Sequence, residues 1–289
     1  MALVAGACLG QPLYVPAQDV RPLPFGLFSV ADMHQEADGH WGQGVEWQPQ
    51  SCGPASVWGC PTCSQNNAGN APNKTIVAGV PLSQAFPFTV YGTFQCSPIG
   101  NWDDAVERSR QVLVNGEERA VELEFATGSH SASPSLIAAS AIDITPTPGT
   151  AVSVSAGVAL LESYIGANAP GEGVIIANRR EATLAASAHL VHQNPLDMNQ
   201  LVTKLQTPVA AIGGFNARTG PNNVAAVGSN AWMFALGSAP RIWRGPIFTN
   251  PDTREAGLRT TNNNLTILSE RNYAVGFDCF AVGVLVASV

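Results

Sequence analysis

Charge is what this chain has least of. Only 12% of its 289 residues are Asp, Glu, Lys or Arg, about half of the ~25% usual for a soluble domain. Lysine is nearly absent, with Lys74 and Lys204 alone. The net charge of −7 comes with no basic tail or arginine-rich arm, which argues against tight binding to a phosphate backbone. No apolar run reaches the ~18 residues of a membrane-spanning helix. The opening Met1-Ala2-Leu3-Val4-Ala5-Gly6-Ala7-Cys8 lacks a positive n-region and is short, so no secretory signal is expected.

Catalytic signatures are missing too. No G-x-x-x-x-G-K-[ST], G-x-S-x-G, H-E-x-x-H or EF-hand loop occurs. Gly213-Gly214 is not expected between a strand and a helix, where a phosphate cradle would need it. The expectation is a non-enzyme, with no catalytic, cofactor-binding or metal-binding residue assigned and no cofactor.

Gly (28) and Pro (21) stand where charge would be, beside many Ser, Thr, Asn and Ala. A monomer so poor in charge is weakly protected against self-association. Composition therefore fits either a loop-rich, β-rich protein or a subunit whose surface mostly faces other subunits. Hydrophobic content is 45%, and the length allows one large domain or two intimate ones.

Six cysteines occur, at 8, 52, 60, 63, 96 and 279. Cys60-Pro61-Thr62-Cys63 is a C-x-x-C, and three readings stay open. Cys52, Cys60, Cys63 and Cys96 could form a four-thiolate zinc site. They could be structural thiols or hold a local disulfide. Redox exchange is the weakest reading, because the pair sits among Gly, Pro, Ser and Asn and not in a βαβ unit. His189 and His192 could share a helical face as metal ligands, although polar residues on an amphipathic helix suffice. His34, His40, Glu36 and Asp38 read as a solvated loop cluster.

Along the chain, Pro12, Pro16, Pro22 and Pro24 make residues 1–34 extended, either an arm or a frayed terminus. Gly44–Gln48 and Phe88–Phe94 carry strand-forming residues, with a polar loop over Ser64–Lys74 between them. Asn101 then suits the N-cap of a charged helix that runs to Phe125 and stops at Gly128. Val106, Leu113, Val121 and Phe125 share one face of it. Asn115-Gly116 is its weak point, and two shorter elements are the alternative.

Pro134–Thr150 is linker-like. Residues 152–166 and Arg179–His192 read as helices, with Gly173–Ala177, Leu201–Thr203 and Pro208–Ile212 as strands. Trp232–Leu236 and Arg241–Arg244 flank Gly237-Ser238-Ala239-Pro240 and predict a hairpin. Arg179-Arg180 is expected to pair with acids or a neighbouring chain. The last residues predict a strand pair, Leu265–Cys279 and Phe280–Val286, after the polar turn Asn262-Asn263-Asn264. Helices and strands alternate in a mixed α/β module, without internal repeats.

Two stretches carry a family resemblance. One runs from Trp102-Asp103-Asp104-Ala105-Val106-Glu107-Arg108 to Glu117-Glu118-Arg119-Ala120-Val121-Glu122. The other is Leu265-Thr266-Ile267-Leu268-Ser269-Glu270-Arg271 with the apolar strand that follows. Together with Gly173–Ala177 leading into Arg179-Arg180, and with the order of elements, they resemble tailed-phage major capsid proteins of the Hong Kong 97-type fold. The α/β module is also similar to actinobacterial-phage examples.

The resemblance implies an α+β fold with five regions. These are an N-arm (1–34), an extended E-loop with flanking strands (35–100), a spine helix and P-domain (101–145), an A-domain (146–255) and closing P-domain strands (256–289). It implies self-assembly into hexamers and pentamers of an icosahedral shell around double-stranded DNA. It further implies a virion location after assembly in the host cytoplasm, a portal, decoration proteins, no membrane and no sequence-specific DNA contact. Residues 1–34 are too short for a built-in scaffold, so a separate scaffolding protein is implied. Lys74 is a possible crosslinking lysine, and Asn262 to Asn264 are possible acceptors. An encapsulin-like shell around a cargo enzyme is the alternative, and a zinc- or thiol-dependent protein using Cys52, Cys60, Cys63 and Cys96 a further one.

Overall fold

A computed structural model describes residues 23–35, 42–49, 52, 82–96, 102–131, 133–137, 141–214, 218–251, 258–259 and 264–287. Fifteen strands and three α-helices lie in these segments. In chain order the first strands are β1 (Asp32–Gln35), β2 (Val45–Trp47), β3 (Ser83–Ala85) and β4 (Pro87–Cys96), followed by helix α1 (Trp102–Thr127). Then come β5 (Ile142–Asp143), helix α2 (Val154–Asn168), β6 (Val174–Asn178), helix α3 (Arg179–Ser187), β7 (Val191–Gln193), β8 (Leu201–Thr203) and β9 (Pro208–Ile212). The chain closes with β10 (Ala231–Leu236), β11 (Arg241–Arg244), β12 (Phe248–Asn250), β13 (Leu258–Arg259), β14 (Asn264–Gly276) and β15 (Ala281–Val286).

Two large sheets organise these elements, and β2 and β3 pair antiparallel as a small third one. One is seven-stranded and mixed, in the order β5-β15-β10-β6-β9-β8-β7. Its centre is apolar along whole strands: β9, β10 and β15 are buried at every position. Such runs are expected where both faces of a sheet are covered. The second helix lies against this sheet through Val154, Val158, Leu161 and Ile165, the three-and-four spacing of one helical face. Ser153 caps it by accepting from the Ala156 N–H at 3.2 Å, and Asn178 caps α3 by accepting from the Arg180 N–H.

The other sheet is built around the 13-residue β14. β4 pairs with it antiparallel from Leu265↔Cys96 to Ala274↔Pro87. β11, β12 and β13 pair along its other edge, and β1 adds parallel to β11. Burial along the first part of β14 alternates, which marks a sheet covered on one face. The covering element is α1.

That helix is continuous over 26 residues, so the Asn115-Gly116 pair does not divide it. Gly116 is exposed with nothing near it. Its cost of ~1 kcal/mol in a helix is outweighed by the packing of the opposite face. Termination is where the sequence placed it: Gly128 takes φ +60 and donates its N–H to the Glu124 carbonyl at 2.6 Å, a left-handed cap.

Three local expectations fail. Trp232–Leu236 and Arg241–Arg244 do not form a hairpin: β10 sits in the seven-stranded sheet and β11 in the six-stranded one. The closing strands behave alike, with β14 pairing β11 and β15 pairing β10. Two of the passages between the sheets, at 237–240 and 277–280, thus run together as one bent antiparallel ribbon, joined by the Gly237 N–H donating to the Phe280 carbonyl at 3.1 Å. Finally, α3 ends at Ser187, His189 takes φ 58 and His192 lies in β7. These two histidines therefore share no helical face.

Candidate functional site

The distinctive chemistry of the described residues lies along α1, where carboxylates are buried. A residue is buried every fourth position: Ala105, Ser109, Leu113, Glu117, Val121 and Phe125. This i, i+4 row is one stripe of a helix. Val106, predicted for the buried face, is only partly covered, and Ser109 and Glu117 take polar places in the stripe. The helix approaches the sheet closely because Gly92 has no side chain; a Cβ there would sit 2.6 Å from the Leu113 nitrogen.

The buried polar side chains of α1 find partners outside the helix. Arg271 donates to both Glu117 carboxylate oxygens, at 3.1 and 2.9 Å, and the Tyr273 hydroxyl donates to the same carboxylate at 2.7 Å. The pair is deep, with side-chain exposures of 12% and 7% for Arg271 and Glu117. Ser109 donates to the Ser269 hydroxyl at 2.9 Å, and its oxygen lies 3.2 Å from the Gly92 carbonyl oxygen. Glu124 accepts from the backbone N–H groups of His130 and Ser131, folding the chain back after the helix.

The opposite flank of α1 holds the N-terminal segment. Glu122 accepts from the Leu27 N–H at 3.2 Å and from the Gly213 and Gly214 N–H groups at 2.8 and 2.7 Å. Glu118 accepts from the Phe28 N–H at 3.0 Å. Arg179, expected to meet acids or a neighbour, donates to the Pro24 and Ala211 carbonyls. Burial raises both the Glu118 and Glu122 carboxyls above the ordinary value, while their backbone N–H donors pull them down. Burial also pushes the Tyr273 phenol up.

A second constellation sits where the ribbon crosses between sheets. The Trp47 indole N–H donates to Asp278 at 2.6 Å, and Arg241 pairs with the same carboxylate at 3.5 Å. Trp47 packs on Trp243 with ring centroids 5.0 Å apart, and His34 stacks on Trp243 at 5.5 Å. Cys52 is disulfide-bonded to Cys279 across 227 residues of sequence. This removes Cys52 from the four-thiolate set, because its sulfur is already bonded. Cys60, Cys63, His40, Glu36, Asp38, Lys74, Asn262 and Asn263 lie outside the described residues, and Cys96 ends β4 opposite Leu265.

Among the described residues no group of three or more His, Cys, Asp or Glu side chains is placed to hold a metal ion. Likewise, no described helix is long and apolar enough to cross a membrane. Among the described residues the arrangement ties α1 to the strands and loops around it. Sequence reasoning missed Glu117 as a buried ion-pair partner, although its i, i+4 place between Leu113 and Val121 was the available signal.

No protein-family model and no curated protein matches the chain in sequence. Solved structures do match it in fold. One is from the capsid of an empty GTA particle, with a TM-score of 0.57, 12% identity and 96% of each chain covered. Another is from Mycobacterium phage Ogopogo, with a TM-score of 0.55, 15% identity, and 96% of this chain and 97% of that one covered. A third, the capsid of Ralstonia phage GP4, has a TM-score of 0.51 and 10% identity over 99% of this chain and 98% of that one. At these identities the likeness is one of fold, and it extends over nearly the whole length. The chain has the fold of tailed-phage capsid proteins, as its sequence predicts.

Proposed function

We propose that this chain is a major capsid protein whose copies assemble as hexamers and pentamers of an icosahedral shell around packaged double-stranded DNA. The observation that carries the reading is the full-length match to capsid chains, in a molecule with 12% charged residues. So little charge suits a surface that meets other copies. A net charge of −7 suits a wall that encloses DNA without gripping it.

On this reading residues 1–34 form an N-arm, 35–100 an E-loop with its strands, 101–145 the spine helix and P-domain, 146–255 the A-domain and 256–289 the closing P-domain strands. β11 and β12 belong to the sheet of β14, and β5 and β15 to the seven-stranded sheet, so the two modules interlock. Function is then geometric: α1 and β14 set curvature, and neighbours supply buried area that one copy lacks. A separate scaffolding protein, a portal and decoration proteins complete the assembly, which forms in the host cytoplasm and ends in the virion.

Negative-stain microscopy with mass photometry of the purified recombinant chain tests this. Closed shells, capsomer rings or tubes are expected. A stable monomer or small oligomer that never assembles, even with crowding agents or a scaffold, overturns the reading. Whether DNA or a protein cargo is held inside then separates a virion from an encapsulin-like compartment.

A further inference from the structure

The hairpin of β7 and β8 carries a knob at one end and a hole at the other. Its strands pair antiparallel as Val191↔Thr203, His192↔Val202 and Gln193↔Leu201. The connecting loop 194–200 projects Leu196, 94% exposed, and Met198, 69% exposed, with Asp197 between them. Two large apolar side chains so close together on a protruding tip mark a contact surface more than a chance exposure.

The tip is held in shape by its own hydrogen bonds. The Asn194 N–H donates to the Gln200 carbonyl at 2.9 Å, and the Asn194 side-chain amide to the Gln200 side-chain oxygen at 2.7 Å. The Gln200 N–H donates to the Asp197 carbonyl at 3.0 Å, and the Asn199 N–H to the Asp197 carboxylate at 2.9 Å. A preorganised tip loses little further freedom on docking.

At the far end of the hairpin lies a groove of about 360 Å³ between α2 and the strand base. Val158, Ala159, Leu190 and Leu205 supply its apolar wall, and Lys204 lies on it. Leu205 is 73% exposed there. Glu162 also borders the groove, but its carboxylate is taken by the Thr203 and Thr207 hydroxyls at 2.5 and 2.8 Å. Neither Asp197 nor Lys204 belongs to an ion pair among the described residues.

Three residues of strand at ~3.4 Å each separate the two ends by about 10 Å, so a tip does not reach the groove of its own copy. We infer that the Leu196-Asp197-Met198 tip of one copy fills the α2–β8 groove of a second copy, with Asp197 meeting Lys204. This contact rests on the shell reading and gives it a residue-level joint. Knob and hole are different surfaces, so the contact is head-to-tail, and repetition closes it into a ring. The apolar pair fills the groove while the charge pair fixes register and rejects a misaligned neighbour.

Charge reversal in the full chain tests it, with circular dichroism melts to verify folding. Asp197→Lys alone and Lys204→Glu alone are each expected to raise the concentration needed for rings or shells at least tenfold. Combining both in one chain restores closed shells. Mixing the two single variants restores only even-membered rings, because the altered tips and altered grooves must alternate. Hexamer sheets or tubes without five-fold vertices then appear. Leu196→Ser, at a position with almost no contacts to lose within its own copy, should raise the same threshold. Single variants that assemble like the unmodified chain, or a double variant that stays dispersed, overturn the contact and leave the shell reading standing. An unmodified chain that never assembles overturns both.

Discussion

Every residue of β10 and β15 is buried and none carries a charge, whereas β14 turns Ser269, Arg271 and Tyr273 toward polar groups of α1. The centre of the seven-stranded sheet is held chiefly by apolar area, which is tolerant of direction. The sheet under α1 is held by a row of hydrogen-bonded groups that work in one register only. The two modes of attachment complement each other. One module stays solid by packing, and the other keeps its long helix at a fixed height over the sheet. The polar row therefore serves specificity more than stability, in keeping with the modest net worth of buried ion pairs.

The largest expected effect breaks that row. Glu117→Leu leaves Arg271 buried without its carboxylate and should cost about 3–5 kcal/mol of unfolding free energy in a denaturant melt. Replacing the whole triad, as Glu117→Leu with Arg271→Met and Tyr273→Phe, should recover most of that loss. If the triple variant stays as unstable as the single one, the row supplies stability and the contrast between the sheets collapses. For comparison, Leu161→Ala under the apolar sheet should cost about 2–5 kcal/mol through its cavity, and no second substitution of a partner restores it.

Next in size is the joint where the ribbon passes between the sheets. Changing Cys52 and Cys279 to Ser frees a chain segment of 227 residues in the unfolded state and should lower stability by about 2–4 kcal/mol. Equal melts for the oxidised protein and the double variant would show that Trp47, Asp278 and Arg241 hold the joint unaided.

What the sequence made legible follows the same division. Apolar runs such as Trp232–Leu236 and Pro208–Ile212 announce buried strands wherever they end up, and the helix from Trp102 is visible in its spacing. Partner choice is not local. Gly237-Ser238-Ala239-Pro240 reads as a hairpin turn, but β15 and β14 outcompete the local pairing by offering longer partners in two different sheets. The same blindness hides the Cys52–Cys279 bond, whose ends are far apart in sequence. Glu117, Glu118, Glu122 and Glu124 look like the solvated acids of an amphipathic helix. Only the Ala105-Ser109-Leu113 stripe, extended by four, would have put Glu117 inside.

A smaller effect concerns the flank where α1 holds the N-terminal segment. Glu122 accepts three backbone N–H groups through two oxygens. Glu122→Gln presents an amide donor to at least one of them, so a loss of about 1–3 kcal/mol is expected. A neutral result would mean that Leu27, Gly213 and Gly214 find other acceptors, and that this flank is as forgiving as the apolar sheet.

The smallest effect is a slope with pH, and it has an uncommon sign. Burial, the largest influence on Glu118, lifts its carboxyl above the ordinary 4.5, against the pull of the Phe28 N–H. Glu122 and Glu117 push it up further, while Arg179 opposes them. The folded chain then holds more protons than the unfolded chain between the ordinary and the raised value. The stability Glu118 contributes is complete below the ordinary value and is lost as pH rises through the raised one. Most carboxylates in ion pairs do the reverse. Urea midpoints of the unmodified chain and of Glu118→Gln, stepped from about pH 4 to 7, should therefore differ by an amount that moves against the unmodified chain as pH rises. A difference independent of pH would mean that Glu118 is as well solvated as an exposed acid. The hold on the N-terminal segment through Leu27, Pro24 and Phe25 would then carry no dependence on Glu118 protonation.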